Sequence, residues 1–219
     1  MKKLGNVFIL GDSYSTFEGY VDASRGCGIW YPKGGKEETD VTRVEETWWY
    51  QVLEKTESNL ILNSSSSGTT ICNTTYGGAY CPKYSFMGRL DRLIEEGFFK
   101  ENKIDTFIVF GGTNDNWSNA PIGSPKYSDW TEEDKKEALP AICYLLNRLK
   151  TNFPSSRIIK ILNTELKPEI HSGYKTACEM YGIEVLELHD IDKLHGHPSI
   201  KGMASIAKQL ITFLEDTSK

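Results

Sequence analysis

Five short apolar, β-branched runs separated by helix-period segments constrain this chain more than any other feature. The runs lie at 6–10, 59–62, 106–110, 158–162 and 184–188, bounded by Gly, Asn and Asp. Runs of this kind read as buried strands. Between and after them, apolar residues recur at helical spacing over 45–57, 86–97, 131–152, 168–181 and 199–214. The third of these opens on Thr131-Glu132-Glu133-Asp134, a capping pattern. Alternating strand and helix gives an α/β chain with a parallel sheet and right-handed crossovers. Nearly continuous apolar strands fit a sheet covered on both faces. Two connections, 15–44 and 69–85, are long for such a fold and rich in Gly, Tyr and Trp. Both follow strand C-terminal ends, where open α/β sheets bind ligands. The expected organisation is one domain over 1–219 with these loops as the rim of its site.

Composition removes several function classes. The chain has 219 residues and carries 25 Lys and Arg against 30 Asp and Glu, a net charge of −5, so nothing draws it to nucleic acid or an anionic membrane. No apolar run approaches the ~20 residues of a membrane helix. Met1-Lys2-Lys3 resembles the start of a signal peptide, but the apolar run at 7–10 is too short for its core. The expected location is cytoplasmic. Cysteines at 27, 72, 81, 143 and 178 form no Cys-x-x-Cys pair, and their odd number argues against a full disulfide framework. They read as buried or incidental thiols.

Four groups with chemical capacity fall at sheet-end loops. The first strand runs into Gly11-Asp12-Ser13, which places a serine where the chain turns over the sheet. The second ends in a Ser-rich stretch closed by Gly68, where backbone can approach a ligand closely. The third ends in Gly111-Gly112-Thr113-Asn114-Asp115, and a side-chain amide there is a neutral donor to developing negative charge. Asp192-Lys193-Leu194-His195-Gly196-His197-Pro198-Ser199 precedes the last helix and supplies a base if something orients its ring. Each segment alone is an ordinary turn or cap. Together they hold the parts of an acyl-transfer site: nucleophile, backbone donor, amide donor and base. Rival motifs are absent: there is no Gly-x-Ser-x-Gly elbow, no Walker sequence and no His-Glu-x-x-His.

In these four blocks, in this order, the chain resembles the SGNH (GDSL-type) hydrolases. The resemblance implies a flavodoxin-like three-layer α/β/α sandwich with a five-stranded parallel sheet in the order 2-1-3-4-5. It also implies ester hydrolysis through an acyl-serine, with no cofactor and no metal. By position, Ser13 corresponds to the nucleophile and His197 to the base, and the Ser13 N–H, the Gly68 N–H and the Asn114 amide to the oxyanion hole. One departure stands out. The family commonly places an Asp three residues before its His, and here that position is Leu194. Asp192 lies five before His197, Asp190 seven before, and Asp192 three before His195. His197 is preferred because His197-Pro198-Ser199-Ile200-Lys201-Gly202 follows the family's His-Pro-x-x-x-Gly run. Asp192 is the expected acid, with Asp190 or a backbone carbonyl as the alternative orienting group.

The expected activity is therefore that of a serine esterase on small acyl esters, with acetyl groups on carbohydrate favoured by the aromatic loops and by Trp117 and Trp130. The expected partner is a small-molecule or carbohydrate ester, with no nucleic acid and no membrane. A thioesterase or lysophospholipase is the alternative within the family. A non-catalytic binding module is the alternative outside it.

Overall fold

The computed structural model describes residues 3–22 and 28–217, so Cys27 and part of the first long connection lie outside the described residues. All five apolar runs are strands: β1 (Asn6–Gly11), β2 (Asn59–Ser65), β3 (Thr106–Phe110), β4 (Arg157–Leu162) and β5 (Glu184–Glu187). They form one parallel sheet in the order β2-β1-β3-β4-β5. The helices are α1 (Trp48–Thr56), α2 (Phe86–Glu95), α3 (Phe98–Glu101), α4 (Thr113–Trp117), α5 (Ala138–Asn152), α6 (Pro168–Tyr181) and α7 (Ile200–Asp216). Two further strands, β6 (Lys193–Leu194) and β7 (His197–Pro198), pair antiparallel just before α7. This is the three-layer α/β/α sandwich that the family resemblance implies.

Strand alternation divides the core in two. Val7, Ile9, Ile108, Phe110, Ile159 and Ile161 face one layer, where Trp48, Val52, Met203, Ile206 and Leu210 from α1 and α7 cover them. Phe8, Leu10, Phe107, Val109, Ile158 and Leu162 face the other, under Leu90, Ile142, Leu146, Leu149 and Ile170 from α2, α5 and α6. Helix entries are fixed by hydroxyl caps: Thr47, Ser85 and Ser199 accept from the N–H groups of Tyr50, Gly88 and Gly202. Among the described residues no helix is long and apolar enough to cross a membrane. Cys72, Cys143 and Cys178 are buried free thiols, and Cys81 is a half-buried one.

Two of the shifts from the expected element boundaries have a clear physical cause. β2 runs three residues past 62, through Asn63, Ser64 and Ser65, which pair with Ile9, Leu10 and Gly11. These residues are polar yet buried, and partner each other: Ser65 Oγ donates to Asn63 Oδ1 (2.5 Å), and Asn63 Nδ2 donates to the Ser15 carbonyl (2.8 Å). The helix expected from 131 begins at Ala138 instead. The Thr131–Asp134 cap does form, but it opens only a 3-10 turn over Asp134–Lys136. Pro140 explains this: it lacks an N–H, and its ring would collide with the Lys136 carbonyl in a continuous helix, so it is confined to the first turn.

Candidate active site

The serine is held by the turn that ends β1. Asp12 Oδ1 accepts from the Tyr14 N–H (3.1 Å) and caps a 3-10 turn over Ser13–Ser15. Ser13 is buried at this strand end. Gly11 leaves no room for a side chain, since a Cβ there would run into Ser65 Oγ and the Ser15 side chain.

His197 arrives on the β6–β7 hairpin. Leu194 pairs with His197 across a two-residue turn of His195 and Gly196. Both turn residues take positive φ, 47° and 77°, as a type I′ turn requires. His195 and His197 are therefore not two steps along one extended run. His197 lies on the strand with Nε2 2.9 Å from Ser13 Oγ. Its Nδ1 lies 3.0 Å from the His195 carbonyl oxygen. A carbonyl only accepts, so Nδ1 carries the proton and donates, which leaves Nε2 free to accept the Ser13 hydroxyl proton. The structure thus brings together Ser13 and His197, with a backbone carbonyl as the orienting group.

Asp192 does not join them. Its carboxylate accepts from Ser199 Oγ, and its carbonyl accepts from the Ser199 N–H (3.1 Å). Ser199 in turn caps α7. The carboxylate expected as the acid therefore secures the start of α7, because the tight hairpin leaves no bulge to carry it to the imidazole. Asp190, the other carboxylate considered, stands exposed beside His189 (3.0 Å).

The other two blocks meet over the second and third strand ends. Gly68 has φ +75° and open space where a Cβ would project, so glycine keeps both this backbone shape and the approach to its N–H. Asn114, on α4, donates from Nδ2 to the Thr69 carbonyl (3.0 Å) and accepts at Oδ1 from the Tyr76 hydroxyl (2.7 Å). The amide is thereby fixed beside Gly68 with its donor end turned toward the loop. The neighbouring Asp115 is fully buried and accepts from the Ile71 and Cys72 N–H groups, which anchors the loop further. On the oxyanion-donor role that the family resemblance implies, Asn114→Ala should lower turnover by ~10²–10³. Steady-state kinetics checks this: kcat should fall more than KM rises.

The model of the GDSL-like lipase/acylhydrolase family matches residues 5–214, nearly the whole chain. The protein belongs to this family. A Bacteroides ovatus protein described as a GDSL-like lipase is 41% identical, with 98% of this chain and 100% of that one covered at a TM-score of 0.90. One from Bacteroides uniformis, described likewise, is 43% identical, with 97% and 96% covered at 0.88. A family two carbohydrate esterase from Clostridium thermocellum, solved with cellohexaose, shares the fold at a TM-score of 0.66, with 16% identity and 99% and 65% of the two chains covered. No functionally curated protein matches the chain.

Beneath the Ser13 loop this GDSL-like hydrolase buries charge that the sequence does not announce. Arg89 on α2 is 1% exposed. It donates to the Ser64 carbonyl, to the Gly11 carbonyl (2.9 Å) and to Thr69 Oγ1 (3.2 Å). One guanidinium therefore ties the ends of β1 and β2 to the Gly68 loop, and so fixes the Ser13 turn relative to that loop. Lys160 on β4 is fully buried, donates to the Gly111 carbonyl (2.7 Å) and sits 4.1 Å over the Tyr174 ring. Burial brings its ammonium down to about 7. Burial also pushes the Asp12 carboxyl up to about 7, against the opposing pull of the Tyr14 N–H, Lys160 and Arg89. Long-range partners create these sites, so no local sequence signal marks them.

Burial, followed by the charges of Lys36 and Lys193, brings the His197 imidazole down to about 4, although its bond to the His195 carbonyl pulls the other way. A base must be neutral to accept the serine proton. A depressed pKa keeps it neutral to lower pH, so the acid limb of the GDSL-like hydrolase should fall well below the ordinary imidazole value of 6.5, toward about 4. A pH profile of kcat/KM reads this directly. A midpoint at or above 6.5 would contradict the buried, carbonyl-held ring.

The aromatic residues of the long loops divide by role. Phe17 and Tyr31 are buried and pack the first loop down. Tyr20, Tyr76, Tyr80, Tyr84 and Trp117 remain exposed. Trp130 does not join the rim, because it packs edge-on against Tyr144 of α5 (5.5 Å) and donates to the Lys126 carbonyl (2.7 Å). Trp30 lies flat on His197.

Proposed function

We propose that this GDSL-like hydrolase is a serine esterase for small acyl esters, acetyl esters of carbohydrates foremost. The observation that carries the proposal is the contact between Ser13 Oγ and His197 Nε2 at 2.9 Å, with the imidazole tautomer fixed by the His195 carbonyl. The Ser13 oxygen attacks the ester carbonyl carbon, and its proton passes to His197 Nε2. The Ser13 N–H, the Gly68 N–H and the Asn114 amide receive the oxyanion. The carbonyl re-forms, the bond to the leaving alcohol breaks, and that oxygen takes the proton from His197. Water then attacks the acyl-serine with His197 again as base, which releases the carboxylic acid and restores Ser13.

The substrate assignment rests on the rim. A cavity of about 310 Å³ beside Gly68 is lined by Ser66, Ser67, Thr69, Thr70, Thr75 and Ser85 together with Tyr84 and Cys81. Hydroxyls and an aromatic ring suit a polar, ring-shaped alcohol better than an acyl tail. Rates on p-nitrophenyl acetate, octanoate and palmitate, set beside acetylated sugars, test the assignment. Acetyl esters should be hydrolysed faster than the longer ones. Rates that climb steadily with chain length would favour a lysophospholipase.

A further inference from the structure

We propose that Trp30 is a positioning residue for His197, and that its indole face supports the imidazolium in place of the missing carboxylate. The proposal rests on the reading of Ser13 and His197 as the working pair. The two rings stack with centroids 3.5 Å apart and planes 10° from parallel. Tyr14 (5.4 Å) and Trp117 (5.6 Å) close two further sides of the imidazole. The His195 carbonyl fixes the tautomer but brings no full charge to offset the proton that His197 gains. A π-face in van der Waals contact supplies that attraction, and contact over the whole ring also restrains its plane.

Two tethers bracket the stack. The Trp30 N–H donates to Thr16 Oγ1 (2.9 Å), and that hydroxyl donates to the Ser13 carbonyl (3.0 Å). The adjacent Tyr31 donates its hydroxyl to the Pro198 carbonyl (2.9 Å). The Trp30–Tyr31 segment is thus tied to Ser13 through Thr16 and to Pro198, next to His197. Lys36 Nζ sits over the same indole, 3.5 Å from its centroid. The imidazole covers one face at that distance, so the ammonium takes the other. Lys36 opposes a positive charge on His197 across the indole. The remaining groups facing the ring are Lys193, held by Glu165 (3.0 Å), and the Tyr14 phenol, which burial keeps protonated.

The proposal predicts three linked effects. Trp30→Ala should lower kcat by roughly 10²-fold, as for a misplaced reacting group, with KM little changed. Trp30→Phe, which keeps a flat ring, should restore activity to within about tenfold of wild type. Lys36→Met should move the acid limb to higher pH, because a cation that opposes imidazolium has gone. NMR titration of the His197 ring in the intact protein gives a second readout that needs no turnover. Lys36→Met should raise its midpoint, Trp30→Ala should lower it because the π-face that favours the imidazolium is gone, and thermal melts should show each variant folded. Wild-type kcat and an unmoved titration in Trp30→Ala would overturn the proposal, as would equal losses in Trp30→Phe and Trp30→Ala. A shifted titration in a protein that hydrolyses no ester would support the coupling of Trp30 to His197 and defeat the esterase reading instead.

Discussion

Ser13→Ala should abolish ester hydrolysis and leave the fold intact. The substitution removes one hydroxyl from a short turn whose backbone is already held by Asp12, through the Tyr14 N–H, and by the 3-10 turn itself. The deleted atom packs little, so the thermal midpoint should barely move. Loss of the nucleophile typically costs several powers of ten in turnover, because the remaining oxyanion donors have no bond to stabilise. Turnover of p-nitrophenyl acetate measured beside circular dichroism separates the two readouts. A well-folded Ser13→Ala that retains wild-type hydrolysis would exclude the serine mechanism. Equal inactivity of wild type and variant would favour a non-catalytic binding module.

His197→Ala should approach the Ser13 loss, whereas Asp192→Asn should be nearly silent in turnover. Without the imidazole nothing receives the serine proton. Asp192 lies in the same segment, but its carboxylate serves Ser199 at the head of α7. Its replacement should therefore register as a loss of about 1 kcal/mol in stability, typical of a weakened cap, with kcat within a few-fold of wild type. His195→Ala should also cost little, since His195 contributes its carbonyl, which alanine keeps. The strain at its positive φ of 47° adds a modest stability cost. A large loss of kcat in Asp192→Asn would contradict the geometry and return that carboxylate to the imidazole.

The sheet was legible because its strands are apolar runs bounded by turn residues, and burial on both faces demands that pattern. The polar end of β2 was not, because Asn63 and Ser65 pair with each other and the Ser13 turn, and the Ser64 carbonyl accepts from buried Arg89, instead of the core. The start of α5 was misplaced by a real cap at Thr131 that Pro140 prevents from propagating. At the candidate site, the sequence blocks that carry Ser13, Gly68, Asn114 and His197 do fall at the sheet-end loops expected of them, with His197 Nε2 beside Ser13 Oγ. The choice between carboxylate and carbonyl was not legible, because it turns on a hairpin whose two positive-φ residues break the alternation. His195-Gly196 was the available signal: a glycine after a residue that tolerates the left-handed region suits a tight turn. Trp30, Arg89 and Lys160 act through partners far away in sequence, and no local pattern marks them. Their roles appear only once the sheet, its helices and the 15–44 connection are brought together.

The central claim is that Ser13, activated by His197 alone, forms the acyl-enzyme. The most direct measurement is intact-mass spectrometry with peptide mapping after treatment with a phosphonate ester, which phosphonylates an activated serine and loses its leaving group. The account predicts a single adduct on Ser13, formed at the wild-type rate in Asp192→Asn and almost not at all in His197→Ala. An adduct on another residue, or none on a protein that still hydrolyses esters, would contradict it.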